Sequence, residues 1–154
     1  MPDALAAIRP DSVNLPLFLH VLGAMLLVGT LAFVGSTILV GWRSERAADL
    51  TRLALRAIPW GVLPAYVLMR VGAQWTEAEQ DYPDGFSAAW LDVGYITADA
   101  GALLLLVALI LAGLGLRRLR SGGGVGLGRA AGVISLVLLA AYVVAVWAMT
   151  AKPA

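Results

Sequence analysis

The chain has 154 residues, 60% hydrophobic and 14% charged, and its eleven basic and ten acidic side chains leave a formal net charge of +1. Apolar runs this long cannot be hidden in a soluble domain of this length, so a water-soluble globule is excluded and lipid is the natural solvent. The sequence holds no cysteine, which excludes disulfides, thiolate metal sites and dithiol redox chemistry.

Residues Met1 to Pro10 lack a basic leader, and the apolar stretch after them is too long for a signal-peptide core, so the first helix is expected to stay in the mature protein. A first span is predicted at about 13–41. Asn14 is placed to cap it, Pro16 suits its first turn, and Gly23, Gly29 and Gly35 punctuate it. A basic connection with Arg43, Arg46, Arg52 and Arg56 leads to a second span at about 53–75. There Pro64 removes the donor that the Trp60 carbonyl would use and should bend the helix, with Pro59 close by.

The next connection has no Lys or Arg and carries Glu77, Glu79, Asp81 and Asp84, with Tyr82-Pro83-Asp84-Gly85 as a turn. A third span is predicted at about 91–116. It is followed by Arg117, Arg118 and Arg120 and by Ser121-Gly122-Gly123-Gly124, a flexible link that lacks the Lys and Ser or Thr of a phosphate-binding loop. The fourth span, about 127–151, opens on Gly128-x-x-x-Gly132, a spacing that lets helices approach closely, as does Ala98-x-x-x-Ala102 in the third.

Each window supplies the roughly 20 residues that cross a ~30 Å hydrocarbon core. Two arginine-rich connections and an acidic one place the basic loops in the cytoplasm and both termini outside. The expectation is a single all-α membrane domain over residues 1–154: an antiparallel four-transmembrane-helix bundle, N-out and C-out, in the plasma membrane. Trp42 near the inner boundary and Trp75, Trp90 and Trp147 near the outer one fit aromatic belts. The expected partner is the lipid bilayer rather than nucleic acid, with a homo-oligomer or a larger membrane complex left open.

Ionisable groups inside a span cost at least about 2.5 kcal/mol each on insertion scales. Here they are His20, Arg70 and Asp99, with Asp92 at the border. Counted from the outer helix ends, the three lie roughly 8 to 12 Å below the outer boundary. Tyr66, Arg70 and Gln74 recur every fourth residue and form one stripe, and Asp92, Tyr95 and Asp99 form another. Lipid cannot hydrogen-bond an Arg or a carboxylate, so the stripes should face each other and Arg70 should pair with Asp99.

One consequence is a buried ion pair that only fixes helix register. The other is a site open to the outer face, where His20 would ligate haem b, Gly23 would let a flat cofactor approach, Arg70 would offset a propionate, and Tyr66 and Tyr95 would form walls. Met149 is the candidate second axial ligand, and His20 with Met149 is the weaker candidate set for copper. Catalysis is left open. The alternatives are a non-catalytic accessory or scaffold subunit and a proton-coupled or solute transporter, although the inner half shows no polar through-path.

The segment Leu17-Phe18-Leu19-His20-Val21-Leu22-Gly23-Ala24, followed by Val28-Gly29, resembles the first helix of copper-resistance D (CopD)-like membrane proteins. It is also similar to the opening of HemJ-type protoporphyrinogen oxidases. The resemblance implies His20 as a haem ligand and Gly23 as a position of close approach. The HemJ-type pattern has a Lys on its third helix where this chain has Asp99, which does not favour the oxidase activity.

Overall fold

The computed structural model describes residues 11–80 and 88–151. Every regular element among them is helical. A 3-10 turn at Asp11–Val13 leads into α1 (Asn14–Gly41), then α2 (Ala47–Ala57), a π-helical turn (Ile58–Val62), α3 (Leu63–Gln80), α4 (Ala89–Arg120) and α5 (Gly126–Ala151). Three helices, Asp11–Gly41, α4 and α5, are long and apolar enough to cross a membrane. The turn expected at Tyr82 to Gly85 lies outside the described residues.

The second span departs most from expectation. Instead of beginning near residue 53, an unbroken helical run extends from Ala47 to Gln80, so Arg52 and Arg56 sit on helix rather than in a loop. Its cause is a buried stripe, Thr51, Ala54, Leu55, Ile58, Val62, Ala65, Met69, Gly72 and Thr76, which continues past the apolar window at both ends. With Arg52, Arg56, Arg70, Glu77 and Glu79 on its other faces, this run is not among the helices that qualify as spans by length and composition.

Pro64 has no N–H to give, and its ring crowds the carbonyl one turn earlier. The helix answers by widening: the Leu63 N–H bonds the Ile58 carbonyl, five residues back, and the backbone at 58–62 is π-helical. The bend expected at Pro64 is thus a wide turn placed just before it.

One smaller expectation is corrected. Asn14 does not cap α1; the cap position is Val13, without a side-chain hydrogen bond, and the Asn14 amide donates instead to Asp11 at 3.3 Å. The glycine-rich link after α4 begins with a helix stop. Gly122 takes a left-handed φ of 78° and the Gly123 N–H donates to the Arg118 carbonyl at 2.8 Å, the six-residue closure of a Schellman cap.

The helix α1 lies centrally, packed along one side by α3 and along another by α5; α4 packs on α5, and α2 closes the arginine-bearing end against α1, α4 and α5. Small residues make the tight crossings. Gly23 of α1 abuts the Met69 main chain of α3, and Gly72 of α3 abuts the His20 main chain of α1, so the two helices meet backbone to backbone. Gly132 seats Ile38, and Gly128 seats Thr51. Leu31, Val34, Leu55 and Ile58 are fully buried where α1 and α2 meet. Phe18, Met25, Leu103, Ile110 and Val144 are exposed on the outside, an apolar coat suited to acyl chains and costly in water.

Candidate functional site

The bundle has a basic end, with Arg43, Arg46, Arg117, Arg118 and Arg120, and an opposite end where α1 begins, α3 ends, α4 begins and α5 ends. In the half toward that opposite end, α3 and α4 have almost no backbone contact. Long side chains span the gap instead. The Tyr66 hydroxyl donates to the Ala98 carbonyl at 3.1 Å, and Arg70 donates to Asp99 at 2.7 Å. The expected pairing of Arg70 with Asp99 is therefore present. The Arg70 guanidinium also stands over the Tyr95 ring, 5.7 Å from its centroid, where the ring quadrupole favours a cation.

The pair is not sunk in the bundle, however. The Arg70 side chain keeps 23% of its surface and Asp99 keeps 67%, so the carboxylate stands on the flank of α4 rather than in the core. The buried ion pair expected from the sequence is half right. A tyrosine on α3 and an arginine one turn later must reach outward to α4, and the group they reach lies near its surface.

His20 occupies a different part of the same half. At about 100° per residue its side chain falls between Gly23, which faces α3, and Gly35, which faces Leu136 of α5, so it projects toward the bundle interior. Its Nδ1 lies 2.9 Å from the Met69 carbonyl oxygen. A carbonyl only accepts, so this contact calls for a proton on Nδ1, and in that tautomer of imidazole the lone pair is on Nε2. No hydrogen bond engages Nε2 among the described residues. Met69 immediately precedes Arg70, which ties the histidine to the ion pair through a single step of α3 backbone.

The other candidates divide. Gly23 is a position of close approach, but α3 backbone already fills the space before it, so it offers no face to a cofactor. Met149 sets its methyl group on Gly94 of α4, between α4 and α5. Gln74 is exposed and makes no hydrogen bond among the described residues. No group of three or more His, Asp or Glu side chains that could chelate a metal ion is present among the described residues.

Tyr142 of α5 is a residue that the sequence pattern did not single out. It is 5% exposed, and its hydroxyl approaches Gly101 of α4. That hydroxyl is the one buried side-chain polar atom without a hydrogen-bond partner among the described residues. The available signal was its type: a tyrosine mid-way along an apolar helix usually has a partner for its hydroxyl.

No protein-family model, curated protein or solved structure matches the chain. Tyr66, Arg70 and Asp99 link α3 to α4, the His20 imidazole from α1 lies against the α3 backbone, and the Tyr142 phenol from α5 lies against Gly101 of α4. All lie in the half of the bundle opposite the arginine-rich end.

Proposed function

We propose that this chain is a four-span integral protein of the plasma membrane, with both termini outside, that binds haem b through His20 in the half of the bundle nearest the outer surface. The observation that carries this is the Nδ1–H bond to the Met69 carbonyl, which fixes the ring and leaves Nε2 without a hydrogen bond among the described residues, as in histidines that hold metals. A porphyrin supplies four of its own nitrogens to iron, so one protein donor suffices. A bare copper ion lacks that help, and the absence of a donor cluster among the described residues makes it the poorer choice.

The chemistry such a group supplies is electron transfer or oxygen binding at iron. The chain's own part is to hold and orient it. Arg70 carries one carboxylate, Asp99, whose exposure lets it give way to or share with a propionate. His20 would be the residue that holds the group, and Met149, whose methyl group rests on Gly94, remains the candidate for a second donor.

Helix lengths refine the depth. From the arginines that close α4, Asp99 is about 27 Å away at ~1.5 Å per residue, and His20 is about 34 Å from Arg43 along α1 and its turn. In a ~30 Å core, the polar groups then meet the outer headgroup boundary, shallower than counting from the outer ends implied. An exposed Asp99 is tolerable at that level. The run from Ala47 to Gln80 makes the fourth crossing by lying along α1, with Arg70 extending to the same boundary.

A second reading, a non-catalytic scaffold or accessory subunit, is favoured by one observation: Tyr66 and Arg70 bridge two helices that scarcely touch otherwise, as a register lock would. Transport draws no comparable support, because the buried polar side chains of the basic half include Ser135, which is bonded to its own helix at the Ala131 carbonyl.

The test is the absorption spectrum of the full chain purified in mild detergent and titrated with haemin. Saturable binding with a Soret band, lost in His20→Ala, is expected. A wild type that takes up no haem, or a His20→Ala variant with an unchanged band, overturns the assignment and leaves the scaffold.

A further inference from the structure

At the basic end, α1 stops at Gly41 and the chain turns through Trp42, whose N–H bonds the Leu39 carbonyl at 3.2 Å. Beside this turn stands the start of α5. Arg129 donates to the Trp42 carbonyl at 3.3 Å and lies over the Trp42 ring, 5.9 Å from its centroid. These contacts pin the guanidinium, yet one hydrogen bond leaves most of its five N–H donors free. Arg43 makes no hydrogen bond or ion pair among the described residues. Nearby carboxylates do not neutralise the two: Asp49 is taken by Arg52 at 3.3 Å, and Glu45 forms no ion pair among the described residues.

The result is an open groove of about 580 Å³ lined by Leu39, Val40, Trp42, Arg43 and Arg129. It is divided by chemistry. Arg43 and Arg129 supply the polar end; Leu39 and Val40, 45% and 68% exposed, continue it along the apolar flank of α1. A free anion would use only the first part and a hydrocarbon chain only the second. A molecule with both, a phosphodiester joined to acyl chains, matches the whole groove.

We propose that this groove binds the headgroup phosphate of an anionic phospholipid of the cytoplasmic leaflet, with Arg43 and Arg129 as the phosphate clamp and Trp42 holding Arg129 in place. The site rests on the membrane-spanning reading and on the basic end facing inward, but not on haem. It differs from a general attraction of basic loops to the leaflet, because it assigns binding to one arginine in the turn after α1 and one on α5, around one indole.

The test is native mass spectrometry of the full chain released from detergent micelles doped with phosphatidylglycerol or phosphatidylcholine. Retention of phosphatidylglycerol well above phosphatidylcholine is expected. With a juxtamembrane cation contributing about fivefold to anionic lipid binding, the R43Q/R129Q double variant should lose roughly 25-fold. R117Q/R120Q, which removes the same charge from the end of α4, should change it less than threefold. Equal retention of both lipids by the wild type overturns the site without recourse to any variant. So does an equal loss in R117Q/R120Q, which would mean diffuse attraction, or displacement of the lipid by millimolar inorganic phosphate, which would mean an anion site alone. Cysteine labelling of the loops reads the orientation separately, so a wrong topology and a wrong site give different results.

Discussion

Replacing Gly72 by alanine is the most direct probe of how the site is built. The added methyl would lie 2.8 Å from the His20 Cα and 3.0 Å from the Leu19 carbonyl carbon, both main-chain atoms that cannot rotate away. Ordinary carbon contacts lie at about 3.5 to 4.0 Å, so α1 and α3 must part by at least ~0.7 Å. A gap of that size stretches the 2.9 Å bond from His20 to the Met69 carbonyl past hydrogen-bonding distance. Overpacking costs about 1–3 kcal/mol and the lost bond about 0.5–1.5 kcal/mol, so Gly72→Ala should destabilise by roughly 2–4 kcal/mol. Gly29, with nothing within 4 Å of a Cβ, is the matched control, and Gly29→Ala should be neutral or slightly stabilising. Unfolding of both variants in one detergent, followed by circular dichroism, makes the comparison. A Gly72→Ala stability within about 0.5 kcal/mol of wild type would refute the backbone-to-backbone crossing.

Other perturbations check separate parts. Tyr66→Phe removes the donor to Ala98 and should cost about 1 kcal/mol, whereas Tyr142→Phe removes a buried hydroxyl that has no partner among the described residues and should leave the ligand-free protein as stable or about 1 kcal/mol more stable in the same unfolding assay. Gly122→Ala forces a side chain into a left-handed φ of 78° and should lower stability by about 1–2 kcal/mol, with Gly124→Ala, which meets nothing, as reference. The chain has no cysteine of its own, so single Asp84→Cys and Arg120→Cys variants report topology without background. An impermeant maleimide should label the first in intact cells and the second only after permeabilisation, and the reverse pattern would invert the orientation.

Much of the fold was written in local pattern. Long apolar runs bounded by arginines mark α1, α4 and α5 to within a few residues, because helix formation and lipid compatibility depend on neighbours in sequence. The pairing of Arg70 with Asp99 was legible for a related reason: each sits on the single polar stripe of its helix, and such stripes avoid lipid. The early start of the second helical run was missed because an amphipathic segment with Arg52 and Arg56 reads as a loop when only apolar length is counted.

What needed the tertiary structure was every property set by how one helix is rotated and crossed against another. Gly23 alone does not say whether a cofactor or a backbone will fill the space before it; the Gly72 that answers it lies far along the chain. Tyr142 joins the site only because Gly101 of α4 makes room for its ring. Exposure of Asp99 and the Nδ1 contact of His20 are likewise decided by gaps and contacts between α1, α3 and α4. Periodicity reveals which face of a helix is polar, but the distance and angle at which two faces meet are fixed by side-chain packing between distant segments.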